Sequence, residues 1–152
     1  MQTRPFSDGT TLIELLVVLV IVILLSTLAV PNMSGFVDRA GVRAALHELT
    51  GDLYQARSLA VREGTRIQLR FVPRSGCADR YELVRMDHDI IMRTVPVEGR
   101  ARGVCLRSNV SRAFSIDSRG MVVGSARTVF ATAGNQKDSI IVSIVGRIYG
   151  SR

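Results

Sequence analysis

Gly9-Thr10-Thr11-Leu12-Ile13-Glu14 opens an apolar run that reaches Val30 and is closed by Pro31. Residues 12–30 would rise about 28 Å as an α-helix, close to the apolar thickness of a bilayer. Only Glu14, Ser26 and Thr27 interrupt the run. A carboxylate at the centre of such a helix costs roughly 2.5–3.5 kcal/mol on insertion scales. Glu14 therefore needs a positive partner once the chain is assembled; the structural alternative is that, so near the start of the run, it reaches the headgroups. Residues 1–9 are polar and too short to hold the apolar region of a secretory signal. The run follows Gly9 instead of preceding a small-residue cleavage site. An uncleaved signal anchor is the competing reading of this segment.

Beyond Pro31, Asn32 and Gly35 loosen or bend the helix, since proline removes a backbone hydrogen bond and clashes with the preceding turn. Pro31 alternatively marks only the boundary of the anchor. The helical period then resumes: Val42, Leu46, Leu49, Leu53, Ala56 and Ala60 step by four and three and form one apolar stripe. Gly64 is a C-terminal stop. The pattern predicts one helix over 11–63, half membrane or filament core and half packed on a domain. From Thr65 the period changes to two, with Ile67, Leu69 and Phe71 alternating with Arg66, Gln68 and Arg70. Further strands are expected at 81–86, 90–97, 103–107, 113–116, 128–132 and 139–145, with a turn at 73–76 and a polar turn at Asp87-His88-Asp89. One long helix followed by short strands reads as an α+β fold with antiparallel sheet. The expected organisation is a leader at 1–9, an apolar helix at 10–31, an amphipathic helical half at 32–64 and a β domain at 65–152.

Formal net charge is +7, nearly all of it arginine, since Lys137 is the only lysine. Residues 1–98 balance, whereas 99–152 carry eight arginines and Lys137 against Asp117 and Asp138. Such asymmetry points to a polyanion, nucleic acid or a membrane surface; an arginine-favouring codon composition is the bland reading. Arg100 and Arg102 flank a loop, while Arg119, Arg127, Lys137, Arg147 and Arg152 fall at predicted turns or the chain end. Exposed guanidinium groups suit phosphate through paired hydrogen bonds and release counterions, and Tyr149 offers a ring on which a base stacks. A solvated charged face is the structural alternative. Nothing offers a groove-reading element, so DNA binding would be non-specific. Two cysteines, Cys77 and Cys105, form one disulfide if the domain lies in an oxidising compartment. They cannot make a zinc site alone, and His47 and His88 lack metal-ligand spacing. No catalytic triad, phosphate-cradling glycine loop or metal cluster is legible. No cofactor and no enzymatic activity are expected.

Gly9, Glu14 fifth after it and Pro31 twenty-second after it resemble the leader and first helix of type IV pilins and pseudopilins. The resemblance extends along most of the chain. Asp52-Leu53-Tyr54-Gln55-Ala56-Arg57-Ser58-Leu59-Ala60-Val61-Arg62-Glu63-Gly64-Thr65 resembles the end of the first helix in the GspH/FimT group of minor pilins. Phe114-Ser115-Ile116-Asp117-Ser118-Arg119-Gly120 resembles that group's late strand and turn, and 140–145 followed by Gly146-Arg147-Ile148 resembles its final strand and Gly-Arg ending. Thr10 stands where the family usually has phenylalanine.

The resemblance implies cleavage after Gly9 by prepilin peptidase and N-methylation at Thr10. It implies inner-membrane insertion with the C-terminal domain in the periplasm, then assembly with other major and minor pilins into a surface pilus. Glu14 would meet the free amine of Thr10 on a neighbouring subunit, a pairing that offsets desolvation. FimT-type members act as DNA receptors in natural transformation, which implies a DNA-holding surface including Arg147 and, by position, Lys137 and Arg152. The competing expectations are a structural minor pilin that primes assembly and a minor pseudopilin of a type II secretion system.

Overall fold

The α-helices and sheet follow from these periodicities. The computed structural model describes residues 11–29, 33–74, 76–97, 103–109 and 113–150, and the chain divides into two units, Met1–Ser34 and Gly35–Arg152. In the first, helix α1 spans Leu12–Ala29. Thr11 caps it: its Oγ1 accepts from the Glu14 N–H at 3.3 Å and its carbonyl accepts from the Leu15 N–H at 3.2 Å. Thr-x-x-Glu is a helix-start pattern, so Glu14 has a local role as the acid of the first turn, one the apolar context had concealed. Every large apolar side chain from Leu12 to Leu25 is at least 47% exposed within the chain. A helix that is apolar all round needs lipid or other helices to cover it.

The sequence reading placed the span at 10–31. Among the described residues no helix is long and apolar enough to cross a membrane; α1, with 18 residues, rises about 27 Å, against about 20 residues for an ordinary span. Gly9, Thr10 and Pro31 lie outside the described residues, and so does the expected bend.

In the second unit, helix α2 spans Met33–Glu63. All six residues of the expected stripe are buried, none more than 5% exposed. Gly64 ends the helix at φ 64°, and the Thr65 N–H returns to the Ala60 carbonyl at 3.2 Å, as in a left-handed helix stop.

Eight strands form one antiparallel sheet: β1 (Ile67–Arg74), β2 (Cys77–Arg85), β3 (Ile90–Pro96), β4 (Cys105–Ser108), β5 (Ala113–Ile116), β6 (Arg127–Ala133), β7 (Gln136–Val142) and β8 (Ile148–Gly150). The order is β5-β1-β2-β4-β6-β7-β8, with β3 also paired to β2. Four sequence expectations need correction. β2 begins at Cys77, four residues before the expected start at Tyr81. β1 runs on through Pro73 and Arg74, because a register shift at Val72/Pro73 accommodates the proline beside Ala78. β7 begins at Gln136 and ends at Val142, short of the expected Val145; residues 144 and 145 form the turn into β8. β8 was not anticipated at all.

The face of the sheet toward α2 carries Ile67, Leu69, Leu106, Val129, Ala131 and Val142, all 2% exposed or less. Two polar devices fix the helix on it. Asp52, 4% exposed on α2, accepts from the Tyr81 hydroxyl at 2.6 Å and meets Arg93 of β3 at 3.1 Å. Burial and the bond to Asp52 push the Tyr81 hydroxyl far above its ordinary range. Arg57 reaches from α2 to the Gly146 carbonyl at 3.0 Å.

Candidate nucleic-acid interface

Strand alternation decides which basic residues meet. Leu106, Ala131 and Ile140 point to the core, so the residues between them point away from α2. Arg107 on β4 lies opposite Phe130 on β6, which lies opposite Ser139 on β7. Thr132 lies opposite Lys137, and Ile141 opposite Tyr149. Arg147 precedes β8 and continues the ladder, its carbonyl accepting from the Ser143 N–H at 2.8 Å. It shares parity with Tyr149, and both are exposed. The outer face of β4, β6, β7 and β8 thus carries Arg107, Lys137 and the Arg147 end, with the rings of Phe130 and Tyr149 and the hydroxyls of Thr128, Thr132 and Ser139. Among the described residues of these four strands the one carboxylate is Asp138, on the opposite parity.

Local contacts hold part of this surface in place. The Lys137 ammonium stands 4.8 Å from the centroid of the Phe130 ring, a cation–π contact that orients the charge while leaving it exposed. Arg107 Nε donates to the Gly76 carbonyl at 2.9 Å, which ties it to the start of β2. The Cys77–Cys105 disulfide lies beside it, with Cα atoms 5.1 Å apart. β2 and β4 are registered only through Ala78 and Leu106. The disulfide therefore clamps the two halves of the sheet where the ladder between them is shortest.

Of the residues expected from sequence the structure places Lys137 near one end of β7 and Arg147 with Tyr149 near the other, all on the same face. It leaves two others apart. Arg119 folds back on its own turn, donating to Asp117 Oδ2 from Nε at 3.1 Å and from a terminal nitrogen at 3.0 Å. Asp117 also accepts from the Met121 and Arg119 backbone N–H groups at 2.9 and 3.0 Å. The Met121 bond leads in holding its carboxyl below the usual range, with the Arg119 bonds adding to it. Arg127 points to the other side of the sheet, half-buried, donating to Ser125 Oγ at 3.1 Å. Arg100, Arg102 and Arg152 lie outside the described residues. Arg107 was missed by the sequence reading because it sat inside an expected strand; its period-two offset from Leu106 was the available signal.

The other half of the outer face is self-neutralised. Glu82, 5% exposed on β2, accepts from Arg70 Nε and a terminal nitrogen at 3.1 and 2.9 Å and from Arg80 Nε at 3.1 Å. Burial pushes its carboxyl up, but the bonds from Arg80 and Arg70 outweigh burial and hold it below the ordinary value. Arg70 and Arg80 are thus paired on Glu82, whereas Arg107, Lys137 and Arg147 of the β4–β8 half meet no carboxylate among the described residues. Among the described residues no group of three His, Cys, Asp or Glu side chains is arranged to hold a metal.

No family model and no curated protein sequence matches the chain. Solved structures do. The chain is similar to the type IV minor pilin FimU of Pseudomonas aeruginosa in two crystal forms. One aligns at TM-score 0.63 and 18% identity over 75% of this chain and 90% of FimU; the other at 0.59 and 17% over 72% and 92%. It is also similar to the minor pseudopilin EpsH of the type 2 secretion system of Vibrio cholerae, at TM-score 0.56 and 12% identity over 72% of this chain and 95% of EpsH. With α2 laid across an antiparallel sheet and most of each neighbour covered, the chain shares the fold of FimU and EpsH.

Proposed function

We propose that this chain is a minor pilin that holds extracellular DNA non-specifically on the outer face of β4, β6, β7 and β8. The observation that carries the reading is the carboxylate-free arrangement of Arg107, Lys137 and Arg147 there, beside a second half-face in which charge is paired. Arg152 extends the same surface in this reading, and Arg119 and Arg127 contribute only long-range field. The chain is cut after Gly9 by prepilin peptidase and its new terminus, Thr10, is methylated. It waits in the inner membrane on the apolar segment around α1, with the β domain in the periplasm, and enters a pilus with other pilins. Support for the membrane stage is the uniform exposure of apolar side chains on α1 and the continuation of the apolar run to Val30. Likeness to EpsH favours a second reading, a minor pseudopilin of a secretion system without DNA binding.

The test uses the unit Gly35–Arg152, which contains every buried hydrophobic residue of the core. A DNA duplex is titrated against salt with this unit and with its Arg107→Gln, Lys137→Gln and Arg147→Gln variants. Affinity should fall log-linearly with salt, and each substitution should shrink the slope by about 0.9. Arg119→Gln should leave the slope within error of the parent. Absence of binding at low salt removes the DNA reading and leaves the pseudopilin one.

A further inference from the structure

Between α2 and the β7–β8 edge lies an open groove of about 320 Å³. Its floor is apolar, made by Leu46, Ile140 and Ile148, and its helix wall carries Arg43 and His47. Arg39, one turn earlier, continues the same flank and lines an adjoining recess with Arg43 and Lys137. Asp138 is the carboxylate of both. The opposite flank of α2 is acidic, and its Glu48 and Asp52 are already engaged by Arg93 of β3. On the basic flank Arg39 donates to Gln136 of β7 at 3.2 Å, whereas Arg43 is exposed and makes no hydrogen bond or ion pair among the described residues. Cationic rim and greasy floor together suit a protein segment that is apolar and acidic, and suit a phosphodiester backbone poorly.

The chain itself exposes such a segment. The β2–β3 hairpin closes through Met86-Asp87-His88-Asp89, and Met86, Ile90 and Ile91 around it are 42%, 50% and 50% exposed. Asp87 is partly compensated by Arg85 at 3.5 Å, whereas Asp89 is exposed and pairs with nothing among the described residues. Apolar side chains flanking two carboxylates mirror the groove in both charge and greasiness. His88 at the tip faces the same chemistry that Asp138 offers in the groove.

We propose that the Met86–Ile91 hairpin tip of one copy docks in the α2/β7–β8 groove of a second copy. The carboxylates would lie against Arg39, Arg43 and His47, with the tip's apolar side chains over Leu46, Ile140 and Ile148. Tip and groove sit at different heights on the domain. The hairpin stands at the C-terminal end of α2, where Arg85 pairs with Glu63 and the Met86 N–H donates to the Arg66 carbonyl. The groove lies roughly 20–30 Å back along the helix. A contact made by translation along α2 leaves one tip and one groove open and propagates head to tail. This inference does not depend on DNA binding, since none of Arg107, Lys137 and Arg147 lines the groove.

The test is directional disulfide trapping in the full-length chain in membranes, treated with nuclease so that DNA cannot bridge copies. One copy carries Asp89→Cys and the other His47→Cys; the native cysteines are already paired with each other. The mixed pair should cross-link well above a pair in which His47→Cys is replaced by Arg62→Cys, exposed on α2 outside the groove. Adding Arg43→Glu to the His47→Cys copy should cut the product about fivefold, the loss expected for about 1 kcal/mol of ion pairing. The same substitution in the Asp89→Cys copy should leave the product unchanged. No product above the Arg62→Cys control overturns the proposal. An equal loss whichever copy carries Arg43→Glu, or trapping of His47→Cys only on another protein, overturns it too.

Discussion

Gly146 shows what one missing side chain does in this fold. It sits at φ 76°, and a Cβ built on it would lie 2.3 Å from the Gly120 carbonyl oxygen and 3.1 Å from Arg57 Nε. The two late turns therefore touch backbone to backbone, with Arg57 of α2 bonded to the Gly146 carbonyl at 3.0 Å. Three stretches that resemble the GspH/FimT group, the end of the helix, the 114–120 turn and the Gly-Arg ending, converge at this point. In sequence, Gly146 read only as the neighbour of Arg147 in the Gly-Arg ending; close approach between turns far apart in the chain leaves no local signal beyond the glycine itself. Gly64 provides the control, at φ 64° with nothing within 4 Å of its built Cβ. Gly64→Ala should cost about 1–2 kcal/mol for the left-handed backbone alone. Gly146→Ala should cost about 2–4 kcal/mol, because overpacking against backbone adds to that strain. Urea unfolding of Gly35–Arg152 measures both, and equal losses would show that the turn contact is slack.

At the scale of elements, the amphipathic half of the helix was fully legible. Val42, Leu46, Leu49, Leu53, Ala56 and Ala60 needed only the 3.6 period, and all are buried. Strands were legible where alternation ran four residues or more. β8 has three residues, Ile148-Tyr149-Gly150, too few for a period of two to register. The full pairing on Glu82 was not legible either, since Arg80 lies two residues before it on β2 but Arg70 reaches it only through the β1–β2 register. That register carries a pH dependence. Glu82 has its carboxyl held below the ordinary 4.5, so the folded state binds this proton less readily than the unfolded chain. Its contribution is fully present above the unfolded value and is lost as pH falls through the folded one. Unfolding midpoints of Gly35–Arg152 should hold steady from neutral pH to about pH 5 with respect to this group and drop below about pH 4.5. Glu82→Gln should lower the midpoint at neutral pH and flatten the acid-side drop. A variant with the parent's acid-side slope would assign that slope to other groups, Asp117 among them.

For the whole molecule, the charge imbalance of the last third was visible in composition, but its geometry was not. Alternation places Arg107, Lys137 and Arg147 on one face and Arg127 on the other, and a local turn holds Arg119 on Asp117. The first unit presents the complementary case, where the chemistry of the segment is plain in sequence and the role of Glu14 has two readings. Glu14 caps nothing beyond its own helix start, its N–H donating to Thr11 Oγ1 at 3.3 Å, and it is exposed among exposed apolar side chains. Two readings of this acid separate cleanly. If Glu14 serves only the capping pattern, Glu14→Gln keeps most of that role, since Gln also serves at this helix position. If it neutralises the amine freed at Thr10 of a neighbouring subunit, Glu14→Gln leaves that amine unpaired in a low-dielectric filament. We expect Glu14→Gln to leave membrane insertion and cleavage after Gly9 unchanged, as read by the mass of the membrane-bound protein. We expect the same variant to reduce recovery in sheared pili at least tenfold, about 1.4 kcal/mol or more in partitioning. The salt titration of Gly35–Arg152 lies outside the reach of this change, because the outer-face cations all lie in the second unit. Normal recovery of Glu14→Gln in pili would reduce Glu14 to a helix-start residue, and the apolar surface of α1 alone would then have to drive its packing into the filament.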